Sequence, residues 1–591
     1  MTELYINGQL AVLPEGFNIT FTSENPYFTR SSNYSLDIEL PMPANHAIFK
    51  HVNRLDVTKK KTILPAMLIV DAKCLLYGSA VLLAVEDTLV KVQLVSGNAE
   101  FNLLTNDDIY IDELDLGTVS WPNNNQNRFQ PPANMVNYYG SVDNSEAVWL
   151  PVFYQEAKWE NLQNDAIYEF GTNNFTLCPY YGRRCVQPYL LTVIKKIVEY
   201  FGYTFDTSFF DNNFLRNIYV CSAVSSNRIS AALPHWTISQ FFDELEKFLC
   251  AVTTVNEHTK VVKLVKLNTY FTESSKEIIH ASSLLQEFIV DIEDEKKEKD
   301  LSIGNVSYNL PSHTDDGYLR LDKDLLNAAH KIEYTTYSNM KYAYDNMNKE
   351  ERKKVIFVVG KRYYINYNEN NTDTLREVNL YSDLIRNPES SEPDTSLNIV
   401  PAKILQFNVG VYGSVAEYDL NQPYTSMVLN IPAVGYQVTV DKQEYFNIQE
   451  AINGNVELKD KQEKNERMEV AINTGEFNRQ RVTYSGQTHL YDYAYPFTDY
   501  RQYTEAQETA FLRYSLSLND VCTDSVGNLM TNLKIFHSNI PYTIQFTANS
   551  LPDVNKVFLI GNQQYLCEKI EAEIDADGLN KVLKGTFYRI E

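Results

Sequence analysis

The sequence predicts a β-dominated α+β protein of several domains in which helices lead straight into hairpins. Short β-rich runs bounded by turn residues recur from one end of the chain to the other. Helical periodicity is confined to a few stretches, and the two clearest helices are each followed at once by strands. At 591 residues and 68.0 kDa the chain is long enough for roughly three to five domains of ~100–200 residues.

The first segment, 1–117, reads as a barrel-like β-domain. Leu4-Tyr5-Ile6 and Leu10-Ala11-Val12 flank Asn7-Gly8, the favoured type I′ turn pair, because both turn residues need positive φ. Strands Phe17–Thr22 and Tyr34–Leu40 follow, then a short helix over His46–Asn53. A meander of Ile63–Val70, Ala72–Val85 and Thr88–Val95 completes the segment. Residues 118–146 read as a connection rich in Asn and Pro, although Trp121, Phe129, Tyr138 and Tyr139 are too many aromatics for a free linker.

The second domain, 147–290, holds the two helix-to-strand units, with helices near 189–201 and 237–249. In the first, Leu190, Val193, Ile194, Ile197, Val198 and Phe201 form the apolar stripe. Pro188 is expected near the first helical position and Gly202 just past the last. In the second, Thr237 and Gln240 form a capping box, with Trp236 and Phe241 placed as a hydrophobic staple. Ile238, Phe241, Phe242, Leu245, Phe248 and Leu249 make its stripe. Asp243, Glu244, Glu246 and Lys247 make its polar side, and the hairpin Cys250–Val255 and Lys260–Leu267 follows.

The charged run Asp291–Asp300 marks a boundary. A β-rich domain over 291–430 follows, with strands at Val355–Val359, Tyr363–Tyr367, Ile404–Val411 and Met427–Ile431 and an excursion at Asn387–Ser396. Leu321–His330 and Val456–Val470 read as helical. The last domain, 431–591, ends in two hairpins that turn at Gly561-Asn562 and at Asp575–Gly578. The second turn opens like a calcium loop, but Thr586 stands where the twelfth, acidic ligand belongs, so a plain hairpin turn is expected.

Chemistry is sparse. Phosphate-loop, dinucleotide-binding, zinc-protease and nucleophile-elbow motifs do not occur. His235, His258, His280, His313 and His330 lack ligand spacing, so no metal, no cofactor and no catalytic residues are expected. Paired carboxylates for glycoside cleavage leave no spacing signature. The net charge of −24 argues against a broad nucleic-acid or anionic-membrane surface. No apolar run reaches the ~18 residues of a membrane helix, and Met1–Tyr5 lacks the pattern of a signal peptide. Seven scattered cysteines, Cys178 and Cys185 among them, are expected to be reduced. The 41 tyrosines point to subunit contacts, and Tyr491, Tyr493, Tyr495, Phe497, Tyr500 and Tyr503 are the interface candidates. The same cluster also suits an aromatic carbohydrate platform.

Phe17–Pro41 with Glu24-Asn25-Pro26, Asn53-Arg54-Leu55-Asp56 and Gly97-Asn98-Ala99-Glu100-Phe101 resemble the N-terminal region of large tail proteins of phages and prophages of anaerobic gut bacteria. Tyr565–Lys569 and Gly585–Tyr588 look like the same group, so the resemblance covers both ends, about a third of the chain. The middle is similar in its helix-to-strand grammar to baseplate hub proteins of contractile tails and to type VI secretion spikes. The resemblance implies hub-like β-barrel domains, a homotrimer, and a tail tube protein and a tip or spike protein as partners. It also implies a place in the virion tail or baseplate after synthesis in the host cytoplasm. No catalytic residue carries over. The alternative is a glycan-binding, receptor-recognising tail protein, with or without glycoside hydrolase activity. A polysaccharide-binding protein of the host bacterium is a third reading, against which the missing signal-peptide pattern counts.

Overall fold

The computed structural model describes residues 1–58, 62–105, 109–120, 146–154, 161–164, 166–169, 174–177, 184–211, 213–272, 276–290, 306–309, 330–335, 337–359, 362–369, 372–378, 395–412, 415–417, 426–435, 467–473, 477–484, 487–494, 496–498, 514–518, 524–531 and 537–590.

The chain opens with strands β1 (Thr2–Ile6) and β2 (Gln9–Leu10), joined by Asn7 and Gly8 at φ 50° and 74°, as the Asn-Gly pair predicts. Strand β3 (Asn18–Glu24) follows. The strand expected over Tyr34–Leu40 is split into β4 (Asn33–Ser35) and β5 (Ile38–Pro41), because Leu36 turns out to solvent between them. The expected helix at 46 is only His46–Phe49. Strands β6 (Ile63–Val70), β7 (Lys73–Val85) and β8 (Leu89–Ser96) form the predicted meander, which passes into helix α1 (Gly97–Leu104). Leu4, Ile6, Phe21, Ile38, Leu40, Leu68 and Val92 share one core.

Helix α2 (Leu190–Tyr200) starts two residues after Pro188, which instead sits in a two-residue strand paired with Ala147–Val148. Its end is a Schellman motif: Gly202 N–H reaches the Glu199 carbonyl at 2.9 Å and Tyr203 N–H the Val198 carbonyl at 3.2 Å, with Gly202 at φ 79°. The chain leaves as β9 (Thr204–Asp206). Helix α3 (Ile238–Leu249) is capped by Thr237, whose hydroxyl accepts from Gln240 N–H at 3.1 Å, the Thr237 half of the expected capping box. It delivers the hairpin β10 (Ala251–Asn256) and β11 (Val261–Lys266), and β11 pairs with β9. Both helical stripes lie in one core that also takes Ile399, Val470, Ile472, Phe497, Leu516 and Met530 from much later in the chain.

Two segments from later in the chain correct the sequence reading. Met468–Ile472, expected at the end of a helix, is a strand hydrogen-bonded on both sides, to Ile218–Val220 and Ile399–Pro401. Its neighbours' ladders override a weak local preference. His330, expected as a helix end, begins the strand His330–Tyr334, while 321–329 and 456–466 lie outside the described residues. With helix Tyr337–Asn346 and strands Val355–Val359, Arg362–Glu369 and Thr372–Val378 it forms a small unit around Met340, Tyr344, Phe357 and Tyr364.

The end of the second domain and the tail complete the first sheet. Short strand β12 (Glu277–Ile279) leads through the turn Ala281–Ser283 into β13 (Leu284–Val290). The last four strands are β14 (His537–Thr547), β15 (Val557–Ile560), β16 (Gln563–Asp575) and β17 (Leu579–Ile590). Among the described residues one 14-stranded sheet has an eleven-strand path, β2-β1-β6-β7-β8-β4-β3-β16-β17-β14-β13, with β5 beside β8 and β12 and β15 also off the path, so the two ends of the chain meet at the β3–β16 ladder. Along the same edge of β16, before that ladder begins, β15 pairs with the first residues of β16, and β12 pairs with β15. The segment Glu277–Val290 thus joins one edge of this second lobe through β12 and the other through β13, around a core of Ile279, Phe546, Phe558, Ile570, Leu583 and Phe587.

The sheet therefore curls around two cores, but among the described residues it closes no barrel, so the β-dominated α+β class holds without the closed hub-like barrels that were expected. β2 is only two residues long, and the path stops there. The gap is bridged by single contacts: Thr2 N–H donates to the Ala576 carbonyl at 3.0 Å, and Leu579 N–H to the Asp71 carboxylate at 3.2 Å. The 575–578 turn is a plain hairpin turn, with the Asp575 carboxylate accepting from Asp577 and Gly578 N–H.

Gly202 yields a direct check. A Cβ there meets open space, so the penalty is backbone strain alone. Gly202→Val is expected to lower stability by about 1–2 kcal/mol, seen as a lower denaturation midpoint. An unchanged midpoint contradicts the left-handed cap.

Candidate assembly surface

Every sheet edge is a row of unpaired amides and carbonyls, and the fold treats two of its edges differently. The free edge of β10 is sealed by side chains. Thr253 N–H donates to Glu246 Oε1 at 3.0 Å, Asn98 Nδ2 donates to the Thr253 carbonyl at 2.7 Å, and Val255 N–H donates to Asn98 Oδ1 at 2.9 Å. Glu246 is held in turn by Arg30, Nε to Oε2 at 3.4 Å, and Arg30 Nη1 donates to the Ser239 carbonyl at 2.7 Å. Close by, buried Glu100 accepts from Ser79 Oγ at 2.7 Å and pairs with Lys260. These contacts fasten the N-terminal lobe to the helical unit, and each charge is compensated by a partner, as a buried charge requires.

Among the described residues no such seal lies on strand β13. The strand pairs with β14 on one side, and no described strand lies beyond it. Phe288 and Ile289 are 69% and 66% exposed, and Leu285 is exposed too. Phe288 stands opposite Ile544 and Ile289 opposite Thr543, so the two point to opposite faces of the sheet. Phe288 therefore sits on the face whose neighbour Ile544 is buried, yet it is uncovered itself. An edge strand with apolar side chains on both faces is the element most ready to accept another strand.

The interface candidates chosen from sequence fall elsewhere. Tyr491 and Tyr493 lie in the strand Gln487–Ala494, paired with Phe477–Tyr484. Tyr495, Tyr500 and Tyr503 lie outside the described residues. Phe497 is wholly buried in the main core, so it has no surface to give a partner. The β13 edge escaped the sequence reading because Leu284–Val290 looks like any buried strand, and only its missing neighbour marks it out.

His235 Nδ1 lies 3.1 Å from both oxygens of Asp112 and its ring stacks on Tyr110 at 3.9 Å, fixing the start of α3. Among the described residues no three His, Cys, Asp or Glu side chains converge as a metal-binding set, and no helix is long and apolar enough to cross a membrane. Cys185, Cys221, Cys250 and Cys567 are buried, and Cys178 lies outside the described residues. Burial pushes the Cys250 thiol up to about 12, far from thiolate reactivity. Burial likewise pushes the Glu469 carboxyl up to about 7, against the opposing pull of Gly435 N–H, which donates to both its oxygens at 3.1 and 2.9 Å, and of Arg467.

No family model matches the sequence, and no curated protein matches it. Among solved structures, a tail protein of prophage MuSo2 from Shewanella oneidensis aligns over 99% of this chain and 96% of its own, at 7% identity and a TM-score of 0.31. A tail protein from Neisseria meningitidis aligns over 100% and 96%, at 5% identity and a TM-score of 0.25. Likeness at this level transfers no residue and no role.

Glu469 gives a pH test. Its folded pKa is raised above the unfolded value, so its contribution to stability is fully present below about pH 4.5 and is lost as pH rises through about 7. Glu469→Gln keeps an acceptor for Gly435 and removes the titration. The variant is expected to melt at the wild-type temperature near pH 4.5 and above it at pH 8. Because Glu469 keeps some solvent contact, the gap should be on the order of 1–2 kcal/mol. A gap that does not change with pH contradicts the assignment.

Proposed function

We propose that the chain is a structural component of a phage tail or baseplate, most specifically a trimeric hub that joins the tail tube to the tip, with no catalytic chemistry of its own. The observation that carries this reading is the convergence of the stretches bearing the family resemblance. Glu24-Asn25-Pro26 and Cys567-Glu568-Lys569 come from opposite ends of the chain and lie side by side. Asn25 N–H donates to the Glu568 carbonyl at 2.8 Å, and Asn25 Nδ2 donates to the carbonyls of Val554 and Cys567 at 3.0 and 3.1 Å. Phe28 stacks on Tyr588 at 5.0 Å, and the Tyr588 hydroxyl donates to Glu568 Oε2 at 3.0 Å. Separate family-like textures are thereby one buried piece of architecture, the junction between the two curled halves of one sheet.

The uncovered β13 edge supplies what assembly needs. A cyclic ring requires two different patches per subunit, each complementary to a neighbour's other patch. Added strands contribute main-chain hydrogen bonds along the edge, and Phe288 and Ile289 gain burial on its two faces. Permanent subunit interfaces commonly bury more than ~2,000 Å², so the ring should survive dilution to low micromolar concentration.

Light scattering on the purified chain is expected to give about three times 68.0 kDa, alone or with its tube and tip proteins, and imaging a ring with a central opening. Phe288→Asp with Ile289→Asp is expected to release monomers of unchanged circular dichroism. A chain that stays monomeric with both partner proteins contradicts the hub and favours the glycan-binding reading. A trimer indifferent to the double substitution moves the contact away from β13.

A further inference from the structure

We propose that His46 and His51 form a two-imidazole site for a divalent transition-metal ion of the zinc and copper class. His46 Nε2 and His51 Nδ1 are 3.3 Å apart. An ion held about 2.0–2.1 Å from each of two imidazole nitrogens at a tetrahedral angle sets them about 3.3–3.4 Å apart. The pair therefore already has the separation that coordination requires.

The spacing of five is not that of two ligands on one helical face, and the backbone shows how the rings meet. The helix is a single turn, His46–Phe49, ended by Lys50 at φ 54°, and this reversal folds His51 back over His46 with ring centroids 4.9 Å apart. Both ends of the turn are pinned. Asn45, itself buried, exchanges hydrogen bonds with Val12 N–H and carbonyl at 2.8 and 2.9 Å and donates to the Pro41 carbonyl at 3.0 Å. On the far side Asn53 Nδ2 donates to the Asp87 carbonyl at 3.1 Å. Ile48 and Phe49 anchor the turn in the lobe's core, while both imidazoles stay exposed. Neutral imidazole is the commonest protein ligand for such ions, and fixing two of them removes part of the ordering that binding otherwise requires. The remaining coordination positions face solvent, so water completes the sphere and the ion is exchangeable, with no part in folding.

The test uses the full chain, titrated with copper(II) and zinc(II) salts in a buffer that does not chelate. One equivalent is expected to bind, with frozen-solution copper spectra showing two imidazole nitrogens. His46→Ala and His51→Ala should each weaken binding about tenfold or more and leave one nitrogen, while His258→Ala, at an exposed histidine elsewhere, changes nothing. Circular dichroism checks that each variant is folded. No binding up to about 1 mM ion, or affinity and spectra unchanged in the His46→Ala, His51→Ala double variant, overturns the assignment.

Discussion

The structure depends on one strand that serves two cores. β16 is 13 residues long and is bonded to β17 along one side; along the other it is bonded first to β15 and then to β3. Cys567, Ile570 and Ala572 fill the C-terminal lobe, while Ile574, at the far end of the same strand, fills the N-terminal lobe. Irregular register between Cys567 and Lys569 lets Cys567 and Ile570 share an interior that strict alternation would deny them. With β3 and β16 contributed by opposite ends of the chain, neither lobe is complete until the last strands are in place. That is a large separation to close, and the loop-closure penalty, which grows only slowly with length, makes it tolerable.

Local structure was legible in the sequence wherever a short-range rule decides it. Asn7-Gly8, Thr237 with Gln240, and Gly202 each specify a backbone geometry by their own chemistry, and each does what it specifies. Long-range partnership was not legible. Nothing in Asn18–Glu24 names Gln563–Asp575 as its neighbour, and nothing in Met468–Ile472 announces two flanking strands. Charge misled in a specific way. Glu244 and Glu246 read as the solvent side of α3, yet both are buried because each has a partner: Glu244 accepts from Asn398 N–H, and Glu246 seals β10. The candidate contact surface was missed for the opposite reason, since Phe288 and Ile289 are apolar and uncovered. Pattern reports what a residue prefers, and only the neighbours decide whether it gets it.

The contrast between edges links fold to proposed role. Asn98, Glu246 and Arg30 are spent on sealing β10, and the N-terminal strand is tied down by contacts to the 575–579 turn. Against that background β13, with apolar side chains exposed on both faces and no described strand beyond it, is the edge on which the proposed assembly rests.

The central claim is that β16 couples the two lobes, and native-state hydrogen exchange tests it directly. Ile574→Val removes one methylene from the N-terminal core, a change of about 0.5–1.5 kcal/mol. If the lobes open together through the shared strand, amide protection should fall in Ile63–Val70 of the first lobe and in Val557–Ile560 of the second by similar factors. Loss of protection confined to the N-terminal strands would show two independent lobes and contradict the account.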